Sequence, residues 1–212
     1  MGRGLKYDIP GEDWRRGIDR VAHSGWEAAF APDLPAPLQL VVEIGFGRGE
    51  FLLDLAGKSP ETAFVGVEVS FKRCLRMARR LAQTSLRNVR LLEGRGQVVL
   101  EHACPPASVS ALWVNFSDPW PKDRHAHRRL VQAPFVASVE RALAATGTLH
   151  VATDDAPYAA QIEHLLAARP LLENAFAPDP WRSEVSGRLR TAYEETWREA
   201  RRPLYFFEYA RR

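Results

Sequence analysis

Leu40-Val41-Val42-Glu43-Ile44-Gly45-Phe46-Gly47-Arg48-Gly49-Glu50-Phe51-Leu52 is the stretch on which the fold turns: an apolar run, three alternate glycines, then an apolar helical pattern. A short run of branched apolar residues suits a buried parallel strand. Alternate glycines after it suit a tight turn into a helix N-terminus, which brings backbone N–H groups close to a nucleotide-like ligand. The same glycines also fit a turn that merely packs tightly on its helix, so the ligand must be argued from other residues.

Outward from this stretch, strand and helix alternate. Residues 38–44 read as the first strand and 50–57 as the first helix, stopped near Gly57 and Pro60; residues 63–69 read as the second strand. Phe71, Cys74, Leu75, Ala78, Leu81 and Ala82 then recur at helical spacing, leaving Lys72, Arg73, Arg76, Arg79 and Arg80 on the other faces. Strands follow at 88–92, 110–116 and 148–153, with helices at 96–103, from Pro134 to about 145, and from Pro157 to near Pro170. Residues 171–177 read as a sixth strand, 178–202 as a polar insertion rich in tryptophan and arginine, and 203–209 as a terminal strand. These units predict an α/β, Rossmann-like fold: a mostly parallel seven-stranded sheet with an antiparallel C-terminal strand. Residues 1–37, with Pro32, Pro35 and Pro37 leading into the first strand, read as an irregular N-terminal arm with at most a short helix, ahead of a single domain over 38–212. Trp14 and Trp26 suit either internal packing or a subunit contact, which leaves monomer and homodimer both open.

At 212 residues and 46% hydrophobic composition the chain can bury a sizeable core. Its apolar runs are too short for a membrane span, and Asp8, Glu12 and Asp13 stand where a signal peptide would be apolar. Cys74 and Cys104 cannot build a disulfide scaffold, which makes a reduced, cytoplasmic setting the expectation. The formal net charge is only +3, but Lys122, Arg124, Arg128 and Arg129 less Asp123 supply that excess within eight residues. Such a tract fits a phosphate-binding surface as well as a solvated loop.

Glu68 lies 23 residues beyond Gly45 at the end of the second strand, where a carboxylate can accept both hydroxyl hydrogens of a ribose. A nicotinamide dinucleotide would satisfy that much. Glu43, just before the glycines, would repel a pyrophosphate yet attract the ammonium of an amino acid, and Glu50 competes for the free N–H groups of the helix start. Together they favour S-adenosylmethionine, which has a ribose, an amino acid and a sulfonium but no phosphate.

Asn115-Phe116-Ser117-Asp118-Pro119-Trp120-Pro121-Lys122 falls at the carboxyl end of the fourth strand, the sheet edge shared with Glu43 and Glu68. Two prolines stiffen the loop, and an aromatic ring beside a carboxylate and a basic tract suits a purine on a phosphate backbone. The plainer alternatives are a core tryptophan and a turn-forming aspartate. His125 and His127, two apart among arginines and without converging carboxylates, give no metal site.

With that loop quoted, the chain resembles the bacterial tRNA (guanine-N7)-methyltransferases, the TrmB family. The likeness rests on Val42-Glu43-Ile44-Gly45-Phe46-Gly47-Arg48-Gly49-Glu50-Phe51, Phe64-Val65-Gly66-Val67-Glu68, Asn115 to Lys122 with Arg124-His125 and Arg128-Arg129-Leu130, Leu149-His150-Val151-Ala152-Thr153-Asp154, and Thr191-Ala192-Tyr193-Glu194. It implies a class I S-adenosylmethionine-dependent methyltransferase domain over 38–212 that methylates guanosine N7 in tRNA, usually at position 46 of the variable loop. By resemblance, Glu43, Gly45, Gly47, Gly49, Glu68 and Asp118 contact the cofactor and Asp118 is catalytic. Lys122, Arg128, Arg129, Asp154, Thr191, Tyr193 and Glu194 take the substrate side, with the 178–202 insertion contacting tRNA. Arg95, counted with these cofactor positions, stands where relatives carry a cofactor-contacting Asp; an arginine cannot accept from the adenine amino group, so either cofactor affinity is lower or Glu93 substitutes. Ala192 replaces a lysine, and Asp123 and His127 occupy positions where lysines are common, which weakens the basic tract. Methylation of another RNA or of protein, or RNA binding without catalysis, are the remaining readings.

Overall fold

The computed structural model describes residues 7–31 and 33–212; Pro32 lies outside them. Eight strands form one sheet in the order β1-β4-β3-β2-β5-β6-β8-β7, with β1 at Arg15–Arg16, β2 at Leu40–Ile44, β3 at Ala63–Glu68, β4 at Val89–Glu93, β5 at Val109–Asn115, β6 at Leu143–Thr153, β7 at Leu172–Asn174 and β8 at Tyr205–Arg211. Every residue of β2 and β3 is buried, as expected of parallel strands covered on both faces. β8 pairs antiparallel with both β6 and β7, and the other described strand pairs are parallel. The chain first steps from β2 outward to β3 and β4, then crosses back to place β5 on the other side of β2. That reversal opens a crevice at the carboxyl ends of β2 and β5, where ligands bind in open α/β sheets.

The sheet has one strand more than the seven predicted. Arg15–Arg16 adds in parallel to Leu91 and Leu92 of β4, a pairing of two residues that no alternation in the sequence announces. The helix after it, α1 at Ile18–Phe30, is broken at Gly25 (φ 80°) and buries Val21, Trp26 and Phe30. Trp14 and Trp26 are both buried within the chain. Arg90 on β4, 1% exposed, lies between the rings of Trp14 and Phe30 and donates to the Ala29 carbonyl and to Asp33, tying the N-terminal segment to the sheet.

Helices α2 (Glu50–Lys58) and α3 (Phe71–Leu81) follow β2 and β3; α4 (Gly96–Ala103), α5 (Ala133–Ala142) and α6 (Ala156–Ala167) follow β4, β5 and β6. The helix predicted to reach about 145 ends at Ala142, and β6 starts at once with Leu143 paired to Val109. A register shift after that pair, Thr146 at φ 63° and Gly147 absorb the irregularity. Ala144 and Ala145 favour helix locally, but the β5 edge offers backbone partners that outweigh a weak propensity. Within 178–202, Arg182 bridges Phe206 and α7 (Ala192–Glu199) forms a helix capped by Thr191.

Candidate active site

The turn after β2 places Gly45, Gly47 and Gly49 at φ 78°, 55° and 74°, left-handed values that side chains resist. At Gly49 a Cβ would also meet the Met77 sulfur at 2.3 Å, so a larger residue there would displace the end of Met77 from its place on the turn. The donors of this turn point inward: Gly45 and Phe46 donate to the Val67 carbonyl, Gly47 to Glu68 Oε2 at 3.2 Å, and Gly49 to the Phe46 carbonyl. A pyrophosphate would find these four N–H groups already engaged.

Above the turn lies a cavity of about 740 Å³ whose wall includes Glu43, Gly45, Gly47, Gly49, Asn115, Phe116, Thr191, Tyr193 and Trp197. Glu43 is 2% exposed; Asn115 Nδ2 donates to its Oε1 at 3.2 Å, and its Oε2 has no partner. Burial pushes this carboxyl up to about 7, with Glu68 adding to the rise and the Asn115 hydrogen bond and Arg188 charge opposing it. Glu68, also buried, accepts from the Gly47 and Ser70 N–H groups and lies 3.6 Å from Arg73. A carboxylate has about four lone-pair sites, so two stay open to ribose hydroxyls. Val69 beside it is 66% exposed, an apolar face for a flat base. Glu68 and Val69 are not on the cavity wall; Glu68 is joined to it through Gly47 and Arg73, which are. A buried unpartnered acid, an acid with spare acceptors and an apolar face beside it fit the amino group, ribose and adenine of S-adenosylmethionine.

Arg188, which the sequence reading passed over, joins the two sides of the crevice. Its buried guanidinium donates to Asn115 Oδ1 at 3.0 Å, lies 3.2 Å from Glu194 Oε2, and rests between the rings of Phe51 and Phe206. Arg198 holds the other Glu194 oxygen at 3.0 Å. Glu43, Asn115, Arg188 and Glu194 therefore form one chain from the glycine turn to α7. Nothing in the sequence separates Arg188 from Arg182, Arg190, Arg201 and Arg202; only the packing does.

The remaining predicted residues divide. Thr191 caps α7 by accepting from the Glu194 N–H, and Glu194, 2% exposed, serves the helix rather than solvent. Tyr193 donates to Asp154, which Arg202 also approaches at 3.5 Å, so Asp154 anchors α7 over the crevice. Asp118 and Lys122 are exposed on the loop beyond Phe116, outside the cavity wall, and Asp118 accepts from the Trp120 N–H. Phe116 and Trp120 both hold positive φ (51° and 45°), a strained conformation that the loop's tethers must maintain. One tether is Arg129: expected on phosphate, it is 7% exposed and donates to the Pro119 carbonyl and to Gln161, over the Tyr158 ring. Trp120 does not shape the cavity. It meets His125 edge-on and carries Arg128 over its face, while Phe116, Tyr193 and Trp197, with Phe46 and Phe51 on the glycine-turn side, supply the cavity's rings. Arg95 is an exposed N-cap of α4, also outside the cavity wall. Among the described residues no cluster of three His, Cys, Asp or Glu could hold a metal ion, and no helix is long and apolar enough to cross a membrane.

The fold and crevice are those of a Rossmann-like methyltransferase. The structure of the aminoglycoside resistance methyltransferase NpmB1 superposes with TM-score 0.57 at 18% identity, over 82% of this chain and 87% of that one. A family model described as "Putative methyltransferase" matches residues 38–207. The tRNA (guanine-N(7)-)-methyltransferase of Geobacillus thermodenitrificans is 31% identical over 190 residues, 90% of this chain and 82% of the relative. Its namesake from Thermus thermophilus is 38% identical over 166 residues, 78% of this chain and 52% of that longer protein. The chain belongs to the tRNA (guanine-N7)-methyltransferase family.

Proposed function

We propose that this protein transfers a methyl group from S-adenosylmethionine to N7 of guanosine in tRNA, at position 46 of the variable loop. The observation that carries the cofactor assignment is the buried Glu43 carboxylate with an unpartnered oxygen in the cavity wall, above a turn whose Gly45, Phe46, Gly47 and Gly49 N–H groups are already engaged. Family membership carries the tRNA assignment.

S-adenosylmethionine supplies a sulfonium methyl when bound. Guanine N7 presents a lone pair and carries no hydrogen, so attack needs no general base. The residues therefore have to orient, dehydrate and stabilise charge. Glu43 holds the amino-acid end and Glu68 the ribose, while Phe116, Tyr193 and Trp197 give the purine flat apolar walls. Asp118, exposed beyond Phe116 on the loop that Arg129 holds through the Pro119 carbonyl, is the acid to take the donor edge of the base and balance the positive charge that forms on the purine. Lys122 and Arg128 hold phosphates on the same side.

The test is incubation of unmodified tRNA with methyl-labelled S-adenosylmethionine, followed by nucleoside analysis and mapping. The reading expects label in 7-methylguanosine at the variable loop. Label in another nucleoside, or none with folded protein, overturns it.

A further inference from the structure

Helix α3 carries Lys72, Arg73, Arg76, Arg79 and Arg80 and no acid. Arg73, Arg76 and Arg80 are spaced by three and four residues, so they share one face. That face lines the cavity together with Arg48 from the glycine turn. Among the described residues, Arg48, Arg76 and Arg80 make no ion pair; Arg80 only donates to the Arg48 carbonyl, and Arg73 reaches Glu68 at 3.6 Å. Like charges at this spacing repel one another along a helix; Asp8 pairs with Arg79 at 3.5 Å and leaves Arg76 and Arg80 without an acid partner among the described residues. The tract at 122–129 is weaker than its composition suggests: Asp123 subtracts a charge and Arg129 is buried in the loop's support.

The two basic groups lie on opposite sides of the crevice. α3 follows β3 and the 118–128 segment follows β5, and these strands flank β2. Resting on tRNA as the substrate, we propose that Arg48, Arg73, Arg76 and Arg80 form a second phosphate track, holding the RNA backbone on the β3 side of the cavity while Lys122 and Arg128 hold it on the β5 side. The target base then enters between two anchored stretches of its own strand. Three arginines without an ion pair among the described residues, with Arg73 beside them, next to an aromatic-walled cavity of about 740 Å³ match a polyanion that must insert a purine.

The experiment compares wild type, the double variant R76Q/R80Q and the charge-retaining R76K/R80K. Unmodified tRNA binding is followed by fluorescence anisotropy through a salt titration, and S-adenosylhomocysteine binding by calorimetry. R76Q/R80Q is expected to raise the tRNA Kd about tenfold and to lower the slope of log Kd against log salt by about 1.4 to 1.8, two phosphate contacts' worth. R76K/R80K retains the wild-type slope, and S-adenosylhomocysteine affinity is the same in all three. An unchanged slope in R76Q/R80Q overturns the track and leaves the substrate assignment standing. Weakened S-adenosylhomocysteine binding assigns these arginines to the cofactor instead. Wild-type protein that binds S-adenosylhomocysteine but not tRNA overturns both track and substrate.

Discussion

The two sides of the crevice are built differently. On the β3 side, the glycine turn and Glu68 bond to one another through backbone groups within some twenty residues of chain. On the β5 side, the loop and α7 are joined to the sheet by buried guanidinium groups: Arg129 reaches the Pro119 carbonyl, and Arg188 reaches Asn115 across 73 residues. The first side is set by local geometry and is preformed. The second depends on long-range ionic and hydrogen-bonded contacts, so single substitutions can release it while the first side stays intact.

Arg188→Met is the sharpest way to break that contrast. It leaves Glu194 and Asn115 without their buried partner and should lower stability by about 3–5 kcal/mol in urea unfolding. A loss below 1 kcal/mol would show that α7 is held by its other contacts.

Asp118→Ala comes next: a fall of about 10²- to 10³-fold in single-turnover methyl transfer at saturating substrates, with S-adenosylhomocysteine affinity retained. An unchanged rate removes Asp118 from the chemical step.

Glu43→Gln probes the preformed side through pH. Because the folded carboxyl titrates near 7 rather than at its ordinary 4.5, its contribution to stability is full below about 4.5 and is lost as pH rises through 7. The variant should therefore be more stable than wild type by about 3 kcal/mol above pH 7, converging with it below pH 4.5, while S-adenosylhomocysteine affinity falls. A wild-type advantage at pH 8 would mean that Glu43 is stabilised as the anion.

The smallest effect is expected of Arg129→Lys, which keeps the charge and loses the fork. Loss of the Pro119 and Gln161 contacts should cost about 1–2 kcal/mol and speed proteolysis within 117–124. Equal proteolysis in both proteins would leave the prolines as the loop's main restraint.

The sequence by itself determined the α/β alternation, the tight glycine turn, the place of Glu43 and Glu68 at one sheet edge, and the family, because these are local patterns of apolar period and residue type. It also marked α3 as a basic face and 115–122 as the loop that names the substrate. Tertiary structure alone decided that Arg129 is buried, that Phe116, Tyr193 and Trp197 rather than Trp120 wall the cavity, that Arg188 links Glu43 to α7 through Asn115, and that β1 adds an eighth strand. Each of these depends on where a side chain meets backbone or charge far away in the chain. An arginine carries the same charge and the same spacing signals whether it faces phosphate in solvent or a carbonyl in the core, and only packing separates the two.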